Sequence, residues 1–115
     1  MELLYRVEDD VLLIFLQSES LDAKDAPEFK QQVIDLIEET HAQSIIIDLE
    51  PLKFIDSSGL GSFLAILRSV SSRGGELKLC SMNRIVHKMF ELVSMNKIFG
   101  IYDTLNEAKQ ALKEL

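Results

Sequence analysis

The 115-residue sequence has no tryptophan, one cysteine, two prolines and two histidines. The single thiol, Cys80, excludes an internal disulfide. It closes the apolar run "LKLC" and so reads as a buried structural group. Neither His41 nor His87 falls at a metal-ligand spacing, and Cys80 has no paired Cys or His, so no metal site is expected. Basic residues are few: 12 against 19 acids, giving a net charge of −7 and a pI near 4.7. Nucleic-acid binding calls for a basic stripe, and anionic lipid attracts basic segments, so both are disfavoured. No apolar run approaches the ~18 residues of a membrane span. The opening "MELLYRVEDD" is no signal peptide. A cytoplasmic chain without membrane insertion is therefore expected. Phosphate-cradling glycines are missing too. There is no GxGxxG and no lysine at phosphate-loop spacing, and Asp56 stands where a GxSxG nucleophile elbow would need glycine. With no catalytic base near its serines, the chain reads as a non-enzyme with no cofactor.

What is present is a core-forming chain, 47% hydrophobic and of a length that suits one domain over residues 1–115. "ELLYRV" and "VLLIFLQ", separated by "EDD", suggest a β-hairpin. "SESLDAKDA" is a polar connection. Asp25, Pro27 and Glu28 read as a capped helix start, and Phe29, Val33, Leu36 and Ile37 continue it to about Thr40 at helical spacing. "SIIIDLE" is β-branched without alternation, as in a strand covered on both faces. From Ser58 the period becomes helical, with Leu60, Phe63, Leu64, Leu67 and Ser71 inward, and Gly74 suits a left-handed cap. "ELKLC" is a strand. "NRIVHKMFELVS" is a helix through Val86, Met89, Phe90 and Val93, and "KIFGIY" holds a last strand. Thr104 to Glu107 forms a second capping box, opening a helix with Ala108, Ala111, Leu112 and Leu115 inward. The order ββαβαβαβα implies an α/β fold: a mostly parallel mixed sheet with one antiparallel N-terminal strand and helices packed on it.

In such sheets functional groups collect at the carboxyl ends of strands. The segment "FIDSSGLG", Phe54 to Gly61, falls there, at a strand-to-helix junction. A helix N-terminus exposes unpaired N–H groups and partial positive charge, which suits a capping hydroxyl or a phosphate. Gly59 and Gly61 would leave the backbone open to a close visitor. A serine N-cap with turn glycines explains the same residues. The outward face of the helix then holds Ser58, Ser62, Ala65, Ile66 and Ser69, small residues plus one Ile and no charge. A helix without a partner normally solvates that face with Lys and Glu, so the strip looks like a docking surface. The acids Glu19, Asp22 and Asp25 would lie beside it if the preceding strand neighbours "SIIIDLE"; otherwise they form a solvated loop. Charge is uneven, with eight acids and three bases in residues 1–30 and six bases against two acids in residues 63–100.

The segment "LKFIDSSGLG" resembles the signature of the bacterial anti-sigma factor antagonists, the STAS domain family. The likeness runs nearly end to end, through "LDAKDAPEFKQQV", "IIIDLEPLKFIDSSGLG", "RGGELKLC" and "VHKMFELVSMNKIF". It implies a STAS-like fold and a partner-switching regulator, bound when unmodified by an anti-sigma factor that is also a serine kinase of the histidine-kinase-like ATPase type. That kinase would use its own ATP to phosphorylate the serine after the motif aspartate, here Ser57, with Ser58 the second choice. A metal-dependent serine phosphatase would reverse the step. Asp56 would orient the hydroxyl, and Glu19, Asp22, Asp25, Asp56, Ser58, Gly59, Gly61, Ser62, Ala65, Ile66 and Ser69 would meet the partner. The chain departs from the family in "QSESLDA", where Glu19 and Ser20 replace a usual glycine. Two other readings remain: an adaptor subunit of a lipid or anion transport complex, and a switch acting on a target other than a sigma factor.

Overall fold

The computed structural model describes residues 1–113. Strands β1 (Leu3–Glu8) and β2 (Val11–Leu16) form the expected hairpin, antiparallel from Leu3 opposite Leu16 to Glu8 opposite Val11. Asp9 and Asp10 both take left-handed φ, 52° and 66°. Two such residues in succession give the turn twist that matches the strands, and Asp tolerates the region better than most residues. The remaining pairings of the main sheet are parallel. β2 pairs with β4 (Ser44–Asp48), β4 with β6 (Glu76–Cys80), and β6 with β7 (Gly100–Tyr102), so the order is β1-β2-β4-β6-β7.

Helices α1 (Ala26–Thr40), α2 (Ser57–Ser72) and α3 (Arg84–Leu92) cover one face, and α4 (Leu105–Lys113) covers part of the other. The two layers account for the unalternating run in β4. Ile45 and Ile47 enter the larger core with α1 to α3, while Ile46 joins Leu13, Cys80 and Ala108 beneath α4. A chain of aromatic contacts crosses the three-helix layer. Phe29 of α1 meets Phe63 of α2 at 5.2 Å between centroids, Phe63 meets Phe90 of α3 at 5.7 Å, and Phe90 meets Phe99 at 5.9 Å. Such tilted and edge-on pairs add about 0.5–1.5 kcal/mol each beyond their buried area. Cys80 is buried, and desolvation pushes its thiol up to about 12, so it is protonated at neutral pH.

Several expectations are corrected. Two short strands, β3 (Ser20–Leu21) and β5 (Phe54–Ile55), pair in parallel as a separate ladder within segments read as connections. Asp25 precedes α1 but makes no side-chain cap, and Glu28 accepts from the Met1 amino group at 2.7 Å instead of closing a capping box. Val93 lies past the end of α3 and is exposed. A 3₁₀ turn (Met95–Lys97) separates α3 from β7. At α4 the Thr104 hydroxyl does accept from the Glu107 amide, at 3.1 Å. Leu115 lies outside the described residues. Gly74, at φ 74°, takes the left-handed position expected after α2.

Candidate functional site

The site grows from the β3–β5 ladder. The Glu19 carbonyl accepts from the Lys53 and Phe54 amides at 2.7 and 3.1 Å, and the Leu21 carbonyl accepts from the Asp56 amide at 3.3 Å. The chain after β2 is thereby stitched to the turn that enters α2, which brings Glu19 and the segment around Asp22 beside that turn. The Glu19 carboxylate forms an exposed ion pair with Lys53 at 3.3 Å. Asp22 turns back to accept from the Lys24 amide at 3.0 Å. Glu19 and Ser20 keep negative φ, so this backbone path has no need of the glycine that relatives carry there.

Asp56, not a serine, is the N-cap of α2. One carboxylate oxygen accepts from the Gly59 amide at 3.0 Å, and the other accepts from the Ala23 amide at 3.1 Å, across 33 residues of sequence. The two oxygens serve the helix and the acidic loop, not the Ser57 hydroxyl. The structural role is therefore larger than the expected one of aiming a neighbour. Replacing Asp56 with Ala removes a cap worth about 0.5–2 kcal/mol and leaves a second amide without its acceptor. We expect a loss of about 2 kcal/mol in urea unfolding, with faster hydrogen exchange at Gly59 and Ala23. Asp56→Asn should recover most of the helix cap, since Asn caps as well as Asp.

Ser57 and Ser58 occupy the first two positions of α2, and both are exposed. Among the described residues their backbone N–H groups find no acceptor. This is the ordinary condition of a first helical turn, and it leaves donors and the positive end of the helix dipole beside both hydroxyls.

The outward face of α2 differs from the expected strip. Ile66 is fully buried, and Ser62 is buried with its hydroxyl donating to the Gly59 carbonyl at 2.6 Å. Leu64 and Leu67 are only half-buried. Gly59 is also buried, so it does not open backbone to a visitor. The cause is the position of α2 as the middle helix. The sheet covers it below, and α1 and α3 cover its flanks. Its lack of a side chain at Gly59 lets it settle onto Leu21 and Ile55. The solvent face that remains carries Ser57, Ser58, Gly61 and Arg68, with Ala65 and Ser69 half-buried at its margin. Arg68, three turns from Ser57, puts a charge on a strip read as uncharged.

Between α1 and α2 lies a shallow groove of about 190 Å³. Ala26, Pro27 and Lys30 form one wall, and Ser58, Gly61 and Ala65 the other. The α1 wall was missed in the sequence because these residues read only as a helix start. Phe54, on the exposed side of β5, is 54% accessible close by in the chain. Asp48, at the carboxyl end of β4, is buried and accepts from the Ser81 hydroxyl and the Glu50 amide, so it shapes the same rim without facing solvent. Among the described residues no cluster of three metal-ligating side chains occurs, and no helix is long and apolar enough to cross a membrane.

A five-stranded mixed sheet, helices on both faces and an exposed serine pair capped by aspartate at a strand-to-helix junction define a STAS-type domain. The chain belongs to the STAS domain family, whose model matches residues 2–108. It is 35% identical over 105 residues to the anti-sigma F factor antagonist of Paenibacillus polymyxa, covering 91% of this chain and 86% of that one. A Thermotoga maritima protein assigned as an anti-sigma factor antagonist, solved by crystallography, is 33% identical with a TM-score of 0.87, covering 97% of this chain and 95% of that one. The Bacillus cell fate determinant SpoIIAA in its phosphorylated form shares the fold, with a TM-score of 0.72 at 23% identity, covering 96% and 99%.

Proposed function

We propose that this chain is an anti-sigma factor antagonist that switches partners by phosphorylation of Ser57. The observation that carries the reading is the division of labour at the start of α2. Asp56 holds the helix and the loop through both carboxylate oxygens, which leaves the exposed Ser57 hydroxyl free of any structural duty. A group added there disturbs no cap. Ser58 instead lines the α1–α2 groove, which suits contact with a partner better than turnover by one.

In this reading the unmodified chain binds an anti-sigma factor that is also a serine kinase of the histidine-kinase-like ATPase type. The bound surface comprises Ser57, Ser58, Gly61 and the groove with Lys30, flanked by Glu19, Asp22 and Asp25. Ser62 and Ile66 support this surface from beneath. The kinase supplies the base and the ATP, so the chain is a substrate and binder in the cytoplasm and carries no cofactor of its own. Phosphorylation adds −1.5 to −2 charges beside Asp56, where an interface would have to desolvate them. A metal-dependent serine phosphatase restores the binding form.

The test incubates the purified chain with a kinase encoded near it and ATP, then maps the modified residue by fragment mass spectrometry. A single phosphate on Ser57 is expected, and none on the Ser57→Ala variant. Phosphate on Ser58 alone would reassign the acceptor. No phosphate, with stable co-purification of membrane transport subunits, would fit a constitutive adaptor instead.

A further inference from the structure

The helix α3 is more apolar than its core contact requires. At about 100° per residue, the positions of Leu92, Ile85, Met89, Val86 and Phe90 sweep an arc of roughly 160°, against the ~100° that a surface helix commonly buries. Only Val86 and Phe90 are buried. Ile85 is 65% and Leu92 78% accessible, and they lie two turns apart on one side. Val93 and, beyond the 3₁₀ turn, Ile98 are also more than half exposed. Scattered exposed apolar residues are ordinary, but a row of them along one helix and its continuation marks a contact surface.

Charge says what kind of contact. Lys88 lies between Ile85 and Leu92 on the helix, Arg84 precedes them, and Lys97 sits in the 3₁₀ turn. All three are exposed, and among the described residues none makes an ion pair. Glu91 is the single acid of the segment. In a chain of net charge −7, this local excess of unpaired cations around apolar side chains fits an acidic, amphipathic partner.

We propose that the α3 surface around Ile85, Lys88 and Leu92 docks an acidic amphipathic helix of a protein partner, at a site separate from the Ser57 switch. Its apolar residues would cover Ile85 and Leu92 while its carboxylates meet Arg84, Lys88 and Lys97. The site lies on α3 and the 3₁₀ turn, on a different element from the serine proposed to be phosphorylated.

The experiment follows backbone amide shifts of the full chain on adding a synthetic helical peptide. The peptide carries leucines at i, i+3 and i+7 flanked by glutamates. A copy with lysines replacing the glutamates is the control, and phosphatidylglycerol vesicles are a third arm. The expected result is saturable shifts confined to residues 84–98 with the acidic peptide, weakening as salt rises from about 0.05 to 0.5 M. Affinity should fall about tenfold in both Leu92→Glu and Lys88→Glu, whose exposed sites leave the fold intact, and stay unchanged in Ser57→Asp. Equal binding of both peptides, shifts elsewhere, or no shift at millimolar peptide would overturn the proposal. Vesicle binding through the same residues without peptide binding would assign the surface to lipid, and shifts that grow with protein concentration alone would assign it to a second copy.

Discussion

Ser57→Asp is expected to weaken binding of the proposed partner kinase on the order of 100-fold, about 2.7 kcal/mol, while the domain melts at the same temperature or slightly higher. The two readouts move apart for a physical reason. At the first position of α2 a carboxylate faces unpaired N–H groups and the positive end of the helix, which favours it by about 0.3–1 kcal/mol. The same charge inside an interface has to shed water next to Asp56, with Asp22 and Glu19 close by in the stitched loop. Lys53, the cation of that loop, is already paired with Glu19. An unpaired buried charge costs several kcal/mol, so the loss falls on binding alone. Calorimetric titration against the kinase and a thermal scan of the free variant check both halves. Undiminished binding by Ser57→Asp sinks the switch at this residue. A drop of more than a few degrees in melting temperature would mean that Ser57 has a structural duty after all.

Much of the fold was legible because periodicity changed cleanly along the chain. The β-branched run of β4, the strand "ELKLC" and the helical spacing of Phe29, Val33 and Ile37 each answer to burial that the sequence displays directly. The short ladder of β3 and β5 was not legible, since each strand has two residues, and two residues carry no period. The double serine could be placed at a helix start, but its cap could not. Aspartate and serine are comparable N-caps, and what chose Asp56 was the Ala23 amide, a long-range partner. The rotation of α2 was misjudged for a related reason. A helix packed on one side shows a single apolar stripe, whereas a middle helix is covered on three. Ser62 was accordingly drawn inward despite its hydroxyl, which it satisfies on its own backbone. Glu28 similarly found the Met1 amino group in place of its own helix start.

The two motif glycines, alike in the sequence, are predicted to respond oppositely to alanine. A Cβ on Gly59 would come 2.4 Å from the Leu21 carbonyl oxygen and 2.6 Å from Ile55 Cγ1. Ile55 could adjust by rotating, but Leu21 belongs to the β3–β5 ladder, and its carbonyl already holds the Asp56 amide. The helix would have to lift, loosening the cap and the acidic loop together. Overpacking of this kind costs about 1–3 kcal/mol, and the better helix propensity of alanine offsets at most about 1 kcal/mol of it. Gly59→Ala should therefore lower the melting temperature by roughly 5–10 °C. Added to Gly61, a Cβ meets no atom within 4 Å. There alanine should stabilise the helix by up to about 1 kcal/mol. No contact among the described residues requires a glycine there, whereas the proposed partner, lying close over the α1–α2 groove, would. Gly61→Ala is thus expected to melt a few degrees higher and to bind the proposed kinase about tenfold more weakly, because the new methyl would stand in the groove beside Ser58 and Ala65. Full-strength binding by this more stable variant would show that the partner does not cover α2 at Gly61, and would move the proposed interface toward Phe54 and the acidic loop.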